Sequence, residues 1–264
     1  MNAKQLLQFK ASADEFSDRV FIVTGAGTGI GRAIALNAAA AGATIVLIGE
    51  HVKTLEAVYD EIEAAGGPQA AIYPMNFAGT TTKDFVDLAK TIERELGRLD
   101  AIVSNAGWLN GFRPFTQLSV DEYQKTLNVN LHAPFWLVHA CIPLLQKSHK
   151  PTILFTDHAS SKAYYGAFGV AKGAARSLVE ILAHEYSQAP ASQTSDSQTD
   201  RLTAVRANSI DPGPINTQMR RSHYPGENWD HLAKPASVVP AYLALLSDQH
   251  SDVTGEFFDL TKID

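Results

Sequence analysis

Cysteine is nearly missing from this chain: Cys141 is the only one in 264 residues. One thiol cannot close an internal disulfide, so a disulfide-stapled scaffold is excluded. Its setting, the apolar "WLVHACIPLL", predicts a buried core thiol. Long apolar runs are missing too, and those present are too short and too broken to span a bilayer. Basic clusters are absent: no tract exceeds Arg220-Arg221 and the net charge is −6, which argues against a nucleic-acid partner. The opening "MNAKQLLQFKASADEF" has no apolar core and no small-residue cleavage pattern, so no signal peptide is expected. The expectation is a cytoplasmic protein with no bound metal. Its 45% apolar content is enough for one large core, and one domain over residues 1–264 is expected.

What is present is a regular alternation. Short β-branched runs read as strands at residues 19–25 ("RVFIVTG"), 43–49, 70–75, 99–107, 151–157, 202–211 and 255–260. Helix-period stretches separate them at 29–42, 52–65, 82–96, 119–145 and 168–187. Pro134 and Pro143 should bend or end parts of the fourth helix. Strands apolar on both faces, with helices between them, predict a doubly wound α/β fold: a mostly parallel seven-stranded sheet with helices on each side. Residues 187–200, "SQAPASQTSDSQTD", lack any apolar period and predict a mobile surface loop.

"TGAGTGIG" (24–31) falls where the first strand meets the first long helix. Gly25 lets the chain turn sharply. Gly29 and Gly31 let backbone and helix approach a pyrophosphate, and the helix N-terminus faces the anion with its N–H groups. A glycine-rich turn alone can be only a turn. Its place after the first strand of an alternating chain points to a dinucleotide.

The spacing Thr-Gly-x-x-x-Gly-x-Gly resembles the short-chain dehydrogenase/reductase family. "SNAG" (104–107), "NVNLHAPF" (128–135) and "DPGPINTQM" (211–219) resemble further family segments, in the family's order, and the likeness runs from about residue 19 to 260. "YPGE" (224–227) and "KPASVVPAYLALLSD" (234–248) are similar to a small bacterial subgroup of cytoplasmic oxidoreductases. The resemblance implies a Rossmann-type fold and a nicotinamide cofactor. Its binding residues would be Thr24, Gly25, Thr28, Gly29, Ile30, Gly31, Asn105, Ala106, Gly107, Lys172, Pro212, Gly213, Ile215 and Thr217. A carboxylate near the end of the second strand bonds a ribose 2′-hydroxyl and repels a 2′-phosphate. Here Gly49 fills the usual acid position and Glu50 follows it. No arginine stands at 50 and no basic residue inside the glycine turn, although Lys53 is within reach. The expected cofactor is NAD, with NADP as the alternative. Asn76 stands where relatives often place an aspartate near the adenine, and its amide can both donate and accept.

The resemblance also implies a catalytic tyrosine four residues before Lys172, a serine after strand five, and an asparagine, here Asn130, that orders a water behind the lysine. The chain keeps Asn130 and Lys172, but the tyrosine position reads Phe168. Phenylalanine neither gives nor takes a proton. In the family the lysine also binds the nicotinamide ribose, a role that survives loss of the phenol. The serine position is unclear: "TDHASS" offers Asp157 or His158, with Ser160 and Ser161 further on. Three residues are candidates for a substitute acid. His158 lies just past strand five and has an ordinary pKa suited to neutral pH. Tyr164, four residues before Phe168, would share its face if the helix began early. Tyr165 lies three residues before. A tyrosine pair before a helix also suits simple packing, and a histidine beside an aspartate also suits a structural pair.

Trp108, Phe112, Phe115, Tyr224 and Trp229 are candidates for a substrate-pocket wall or for packing under loops. The reading is a nicotinamide-dependent oxidoreductase acting on a small alcohol or carbonyl through a non-standard acid. The alternatives are an NAD(H)-binding protein with little or no catalysis and a purely structural oligomer. The expected partners are a small-molecule substrate and further copies of the chain, as a homodimer or homotetramer, with no membrane contact.

Overall fold

The β-branched runs become strands because both of their faces are covered. In the computed structural model, which describes residues 1–159, 161–188 and 202–262, β1 (Val20–Thr24) is buried at every position. It pairs in parallel with β2 (Thr44–Gly49) on one side and β4 (Ala101–Ser104) on the other. β3 (Ala71–Pro74) extends the sheet beyond β2. β5 (Thr152–Thr156), β6 (Arg206–Asp211) and β7 (Phe257–Asp259) extend it beyond β4, all in parallel. Among the described residues the sheet has seven strands, in the order β3-β2-β1-β4-β5-β6-β7. The direction of winding reverses between β1 and β4, and the crevice above that point is where such sheets bind ligands.

Helices cover both faces. On one side α2 (Gly29–Ala40), α3 (Val52–Ala64) and α9 (Val239–Leu246) pack on the sheet with α1 (Ala3–Leu7). On the other lie α4 (Thr82–Leu96), α6 (Ala133–Leu145) and α7 (Gly166–Glu185). Cys141 is buried in this second core, and burial pushes its thiol up to about 12, so it stays protonated. None of the described helices is long and apolar enough to cross a membrane.

Most predicted elements recur with ends shifted by one or two residues. Two differ for physical reasons. The single helix expected over 119–145 is divided: α5 (Val120–Leu127), a π turn at Asn128–His132, then α6. Pro134 falls in the first turn of α6, where its missing N–H has no helical partner to lose. The strand expected from residue 202 begins at Arg206. Thr203 and Val205 donate their N–H groups to Gln146 and Tyr186, at the ends of α6 and α7, rather than to a strand. The helix expected from residue 168 begins at Gly166. α1, α9 and a short helix α8 (Gln218–His223) have no counterpart in the sequence reading. Beyond Gln188, the loop expected at 187–200 lies outside the described residues, as does Ser160.

Candidate active site

The floor of the site is a chain of side chains tying three strand ends and one helix together. Thr24, at the end of β1, accepts hydrogen bonds on its hydroxyl from the N–H groups of Asn105 and Ala106, both 2.9 Å. The Asn105 amide donates to the Thr24 carbonyl at 3.1 Å and accepts from the Thr156 hydroxyl at 3.2 Å. Thr156 in turn meets the hydroxyl of fully buried Tyr242, from α9, at 3.0 Å. Burial raises the Tyr242 phenol well above its ordinary range, so it remains a neutral hydrogen-bonding group. Tyr242→Phe leaves Thr156 without this partner in a dry setting. We expect a stability loss of about 1–2 kcal/mol, measured as a lower urea midpoint with an unchanged slope.

The glycine turn stands at one end of this floor. Gly25 has φ +65°, open to glycine at little cost. A Cβ on Gly31 would lie 2.3 Å from the Gly25 carbonyl oxygen and 2.6 Å from the Asn105 amide nitrogen, so α2 starts against the turn itself. Thr28 precedes α2 in extended backbone and makes no side-chain cap bond, leaving the helix start facing the crevice. From there a cavity of about 230 Å³ runs past Asn105, Ala106 and Gly107 to Lys172 and His158. Pro212, Gly213, Ile215 and Thr217 cover it from the segment after β6, and α8 closes its far end.

Lys172 is 8% exposed and donates from Nζ to the Thr156 carbonyl at 2.8 Å. Burial draws its pKa below the ordinary 10.5, opposed by Asp157 and Asp211. Its Nζ lies 5.7 Å from the ring centre of Phe168, which is itself 7% exposed. The apolar ring is therefore inside the site, one helical turn before the ammonium group, and lines the cavity.

His158 lies beyond β5, with its ring centre 6.0 Å from that of Phe168 and 5.5 Å from that of Tyr165. Its backbone N–H donates to the Asp157 carboxylate at 2.7 Å, and that carboxylate accepts from Arg176 at 2.8 Å. Burial holds the imidazole below its ordinary 6.5. The positive charges of Lys172 and Arg220 act in the same direction, while Asp211 and Asp157 oppose them. At neutral pH the ring is accordingly an uncharged base.

Tyr164 requires a correction. It was expected on the face of Phe168, but it lies outside α7 with φ +72°, is 59% exposed and does not line the main cavity. The left-handed backbone at 164 breaks the i, i+4 row. The phenol facing the cavity is Tyr165, whose right-handed backbone leads into α7 and whose spacing to Phe168 is i, i+3. Its hydroxyl meets that of Tyr224 at 2.7 Å.

Asn130 sits within the π turn. Its amide donates to the carbonyls of Trp108 (2.8 Å) and Thr126 (2.9 Å) and accepts from the Trp108 N–H (3.1 Å). It clamps the loop after β4 and does not line the cavity. Such turns cluster at functional sites because they redirect one side chain without ending the helix. Glu50 and Asn76 stand together past the ends of β2 and β3, the Asn76 amide donating to the carboxylate at 3.0 Å. Ser161, Phe115 and Lys53 are exposed, and none lines the main cavity. Trp108 carries Lys125 over its ring at 4.4 Å, and Trp229 donates to the Tyr224 carbonyl at 3.3 Å, so both serve packing. Leu109, Met219, Arg220 and His223 line the cavity without having been singled out. Three of them lie on α8, too short for a periodic signal.

Comparison with known proteins identifies the family and matches the fold. The family model for short chain dehydrogenases matches residues 19–228. An uncharacterized oxidoreductase of Escherichia coli K12, YciK, is 32% identical over 256 residues, covering 96% of each chain. A short chain dehydrogenase structure from Pseudomonas syringae is 34% identical, covering 96% of this chain and 99% of its own, with a TM-score of 0.85. Another, from Shigella flexneri and complexed with NADP, is 32% identical, covering 95% and 100%, with a TM-score of 0.86. The chain belongs to the short chain dehydrogenase family of nicotinamide-dependent oxidoreductases.

Proposed function

We propose that this protein moves a hydride between a bound nicotinamide dinucleotide and a small alcohol or carbonyl, with His158 handling the proton that the family's tyrosine would handle. The observation that carries the reading is the single cavity joining the glycine turn, Lys172 and His158. The residues suit the cofactor. The gap between Gly25 and Gly31 admits no Cβ, and the start of α2 offers N–H groups to a pyrophosphate. Thr28, Gly29, Ile30 and Asn105–Gly107 would hold it below, with the expected ligand Thr24 instead buried beneath them, Pro212, Gly213, Ile215 and Thr217 above, and Lys172 at the ribose. When bound, the nicotinamide supplies or accepts the hydride.

The chain's own groups deal with the proton. In alcohol oxidation the neutral imidazole of His158 takes the hydroxyl proton as the C–H electron pair leaves as hydride. In carbonyl reduction the imidazolium returns it to the alkoxide oxygen. Lys172 keeps a positive charge near the oxygen and lowers the energy of its anionic form. The depressed pKa of His158 favours the oxidising direction at neutral pH, since the base form is already present.

Glu50 supports NAD over NADP. The Asn76 amide fixes its carboxylate past β2, where a ribose 2′-hydroxyl would find an acceptor and a 2′-phosphate a like charge. A hydrogen bond to a charged group contributes about 1.5–3 kcal/mol, so titration of the protein should give NADH a Kd roughly ten- to hundredfold below that of NADPH. Glu50→Arg should reverse the order. Tighter NADPH binding by the natural chain would refute the argument from Glu50.

A second reading rests on Phe168, whose ring removes the family's proton donor: the protein binds NAD(H) and does little chemistry. Assays of NADH oxidation and NAD reduction across small ketones and secondary alcohols separate the two. Cofactor binding with no turnover on any of them would favour the second reading. Exposed Phe135 and Trp136 on α6, and Val170 and Ile181 on α7, suit a homodimer or homotetramer contact.

A further inference from the structure

Around His158 the cavity wall joins the apolar Leu109, Phe168 and Met219 to the polar Gln218 and His223, with Tyr165 and Tyr224 beside them. The Thr156 hydroxyl is spent on Asn105 and Tyr242, and one of the three Lys172 donors on the Thr156 carbonyl. Arg220 is also engaged. It makes two bonds to Glu227, at 2.7 and 2.8 Å, and its guanidinium carbon lies 3.4 Å from the centre of the Tyr224 ring. No unpaired cation is therefore offered to an anionic substrate by that residue.

The tyrosine pair is built with care for position. Phe112 sets its ring edge-on to both, with centres 4.9 Å from Tyr165 and 5.0 Å from Tyr224. Arg220 stacks on Tyr224 from α8, and Trp229 donates to the Tyr224 carbonyl. Three separate segments thus meet to hold two phenols at 2.7 Å. Two hydroxyls carry two O–H donors, and their mutual bond uses one. One O–H is left to give, on the cavity wall shared with Leu109, Phe168 and Met219.

We infer that the Tyr165–Tyr224 pair is a second hydrogen-bonding station beside His158, and that it selects neutral substrates carrying a second oxygen on the carbon next to the reacting one: 1,2-dicarbonyls, α-hydroxy ketones or vicinal diols. The inference rests on the proposed hydride transfer at His158. The rings of His158 and Tyr165 stand side by side on the cavity wall, 5.5 Å apart centre to centre. Two groups so close serve two oxygens a few bonds apart, not the two ends of a long chain. Burial, aided by the bond to Tyr224, keeps the Tyr165 phenol protonated throughout the working pH range, so the pair acts through its remaining O–H as a donor and not as a base. A site built to hydrogen-bond a substrate oxygen rejects the analogue lacking it, because the site's own polar group is then left unmatched.

The test compares 2,3-butanedione and acetoin with 2-butanone and 2-pentanone, using the full chain with NADH. The natural protein should favour the dioxygenated compounds by about tenfold or more in kcat/KM, the worth of one such bond. Tyr224→Phe and Tyr165→Phe should each bring the ratio below about threefold, chiefly by raising KM for butanedione. Equal kcat/KM for the two classes in the natural protein would overturn the inference. So would a preference that survives both substitutions. Should no compound be turned over, the hydride-transfer reading fails on its own. The inference is then read from thermal shifts of the NADH-loaded protein: stabilisation by butanedione and not by 2-pentanone, lost in Tyr224→Phe, supports it, and equal or absent shifts refute it.

Discussion

His158→Ala should lower turnover by about two to four orders of magnitude, the usual worth of a positioned proton-transfer group, while the Kd for NADH changes little. The imidazole sits over the substrate end of the cavity and no binding role for the adenine half falls to it. The pH profile adds a second readout. The His158 pKa lies below its ordinary 6.5, chiefly through burial. Alcohol oxidation needs the neutral ring, so its rate should climb with pH through that depressed value and be level by neutrality. Carbonyl reduction needs the charged ring, so it should fall over the same interval. His158→Ala should erase both limbs. Phe168→Tyr restores a phenol beside Lys172 and should raise the reduction rate. If His158→Ala keeps full activity, the proton passes elsewhere and the assignment is wrong.

Gly31→Ala should have the next largest effect, acting on the cofactor half. The added methyl would lie 2.3 Å from the Gly25 carbonyl and 2.6 Å from Asn105, against backbone and a side chain already bonded to Thr24 and Thr156. Neither neighbour is the loose end of a flexible chain. The start of α2 must move away from the turn, at an overpacking cost of about 1–3 kcal/mol. We expect a Kd for NADH roughly five- to 150-fold weaker, with a thermal midpoint lower by several degrees. Gly66→Ala is a contrasting control: nothing lies within 4 Å of its added Cβ, so only the backbone strain of φ +74° remains. That variant should lose stability and keep its cofactor affinity.

The sheet was legible because its strands are buried on both faces, which leaves continuous apolar runs between helix-period stretches. β1, buried at all its positions, is the clearest case. The glycine turn was legible because a helix can start against a turn only where side chains are missing. The roof was not. α8 has six residues, and its role depends on Arg220 reaching both Glu227 and the Tyr224 ring, contacts that no periodicity records. Tyr164 and Tyr165 illustrate the limit sharply. They differ in sequence by nothing but order, and one left-handed residue decides which of them enters the cavity. Asn130 was placed on a continuous helix, whereas the π turn shifts it by a fraction of a turn and commits its amide to Trp108 and Thr126.

The linked side chains Thr24, Asn105, Thr156 and Tyr242 form the floor of the site, yet none of the four carries the proton chemistry proposed above. Mutational drift in the upper tier can therefore proceed without loosening the base it rests on. An ancestor could exchange a phenol for a benzene ring, or recruit an imidazole, and remain a folded binder of dinucleotides throughout. Laboratory evolution of new specificities should find its tolerated positions in α8 and the segment around Phe112, with the four tethered residues left untouched.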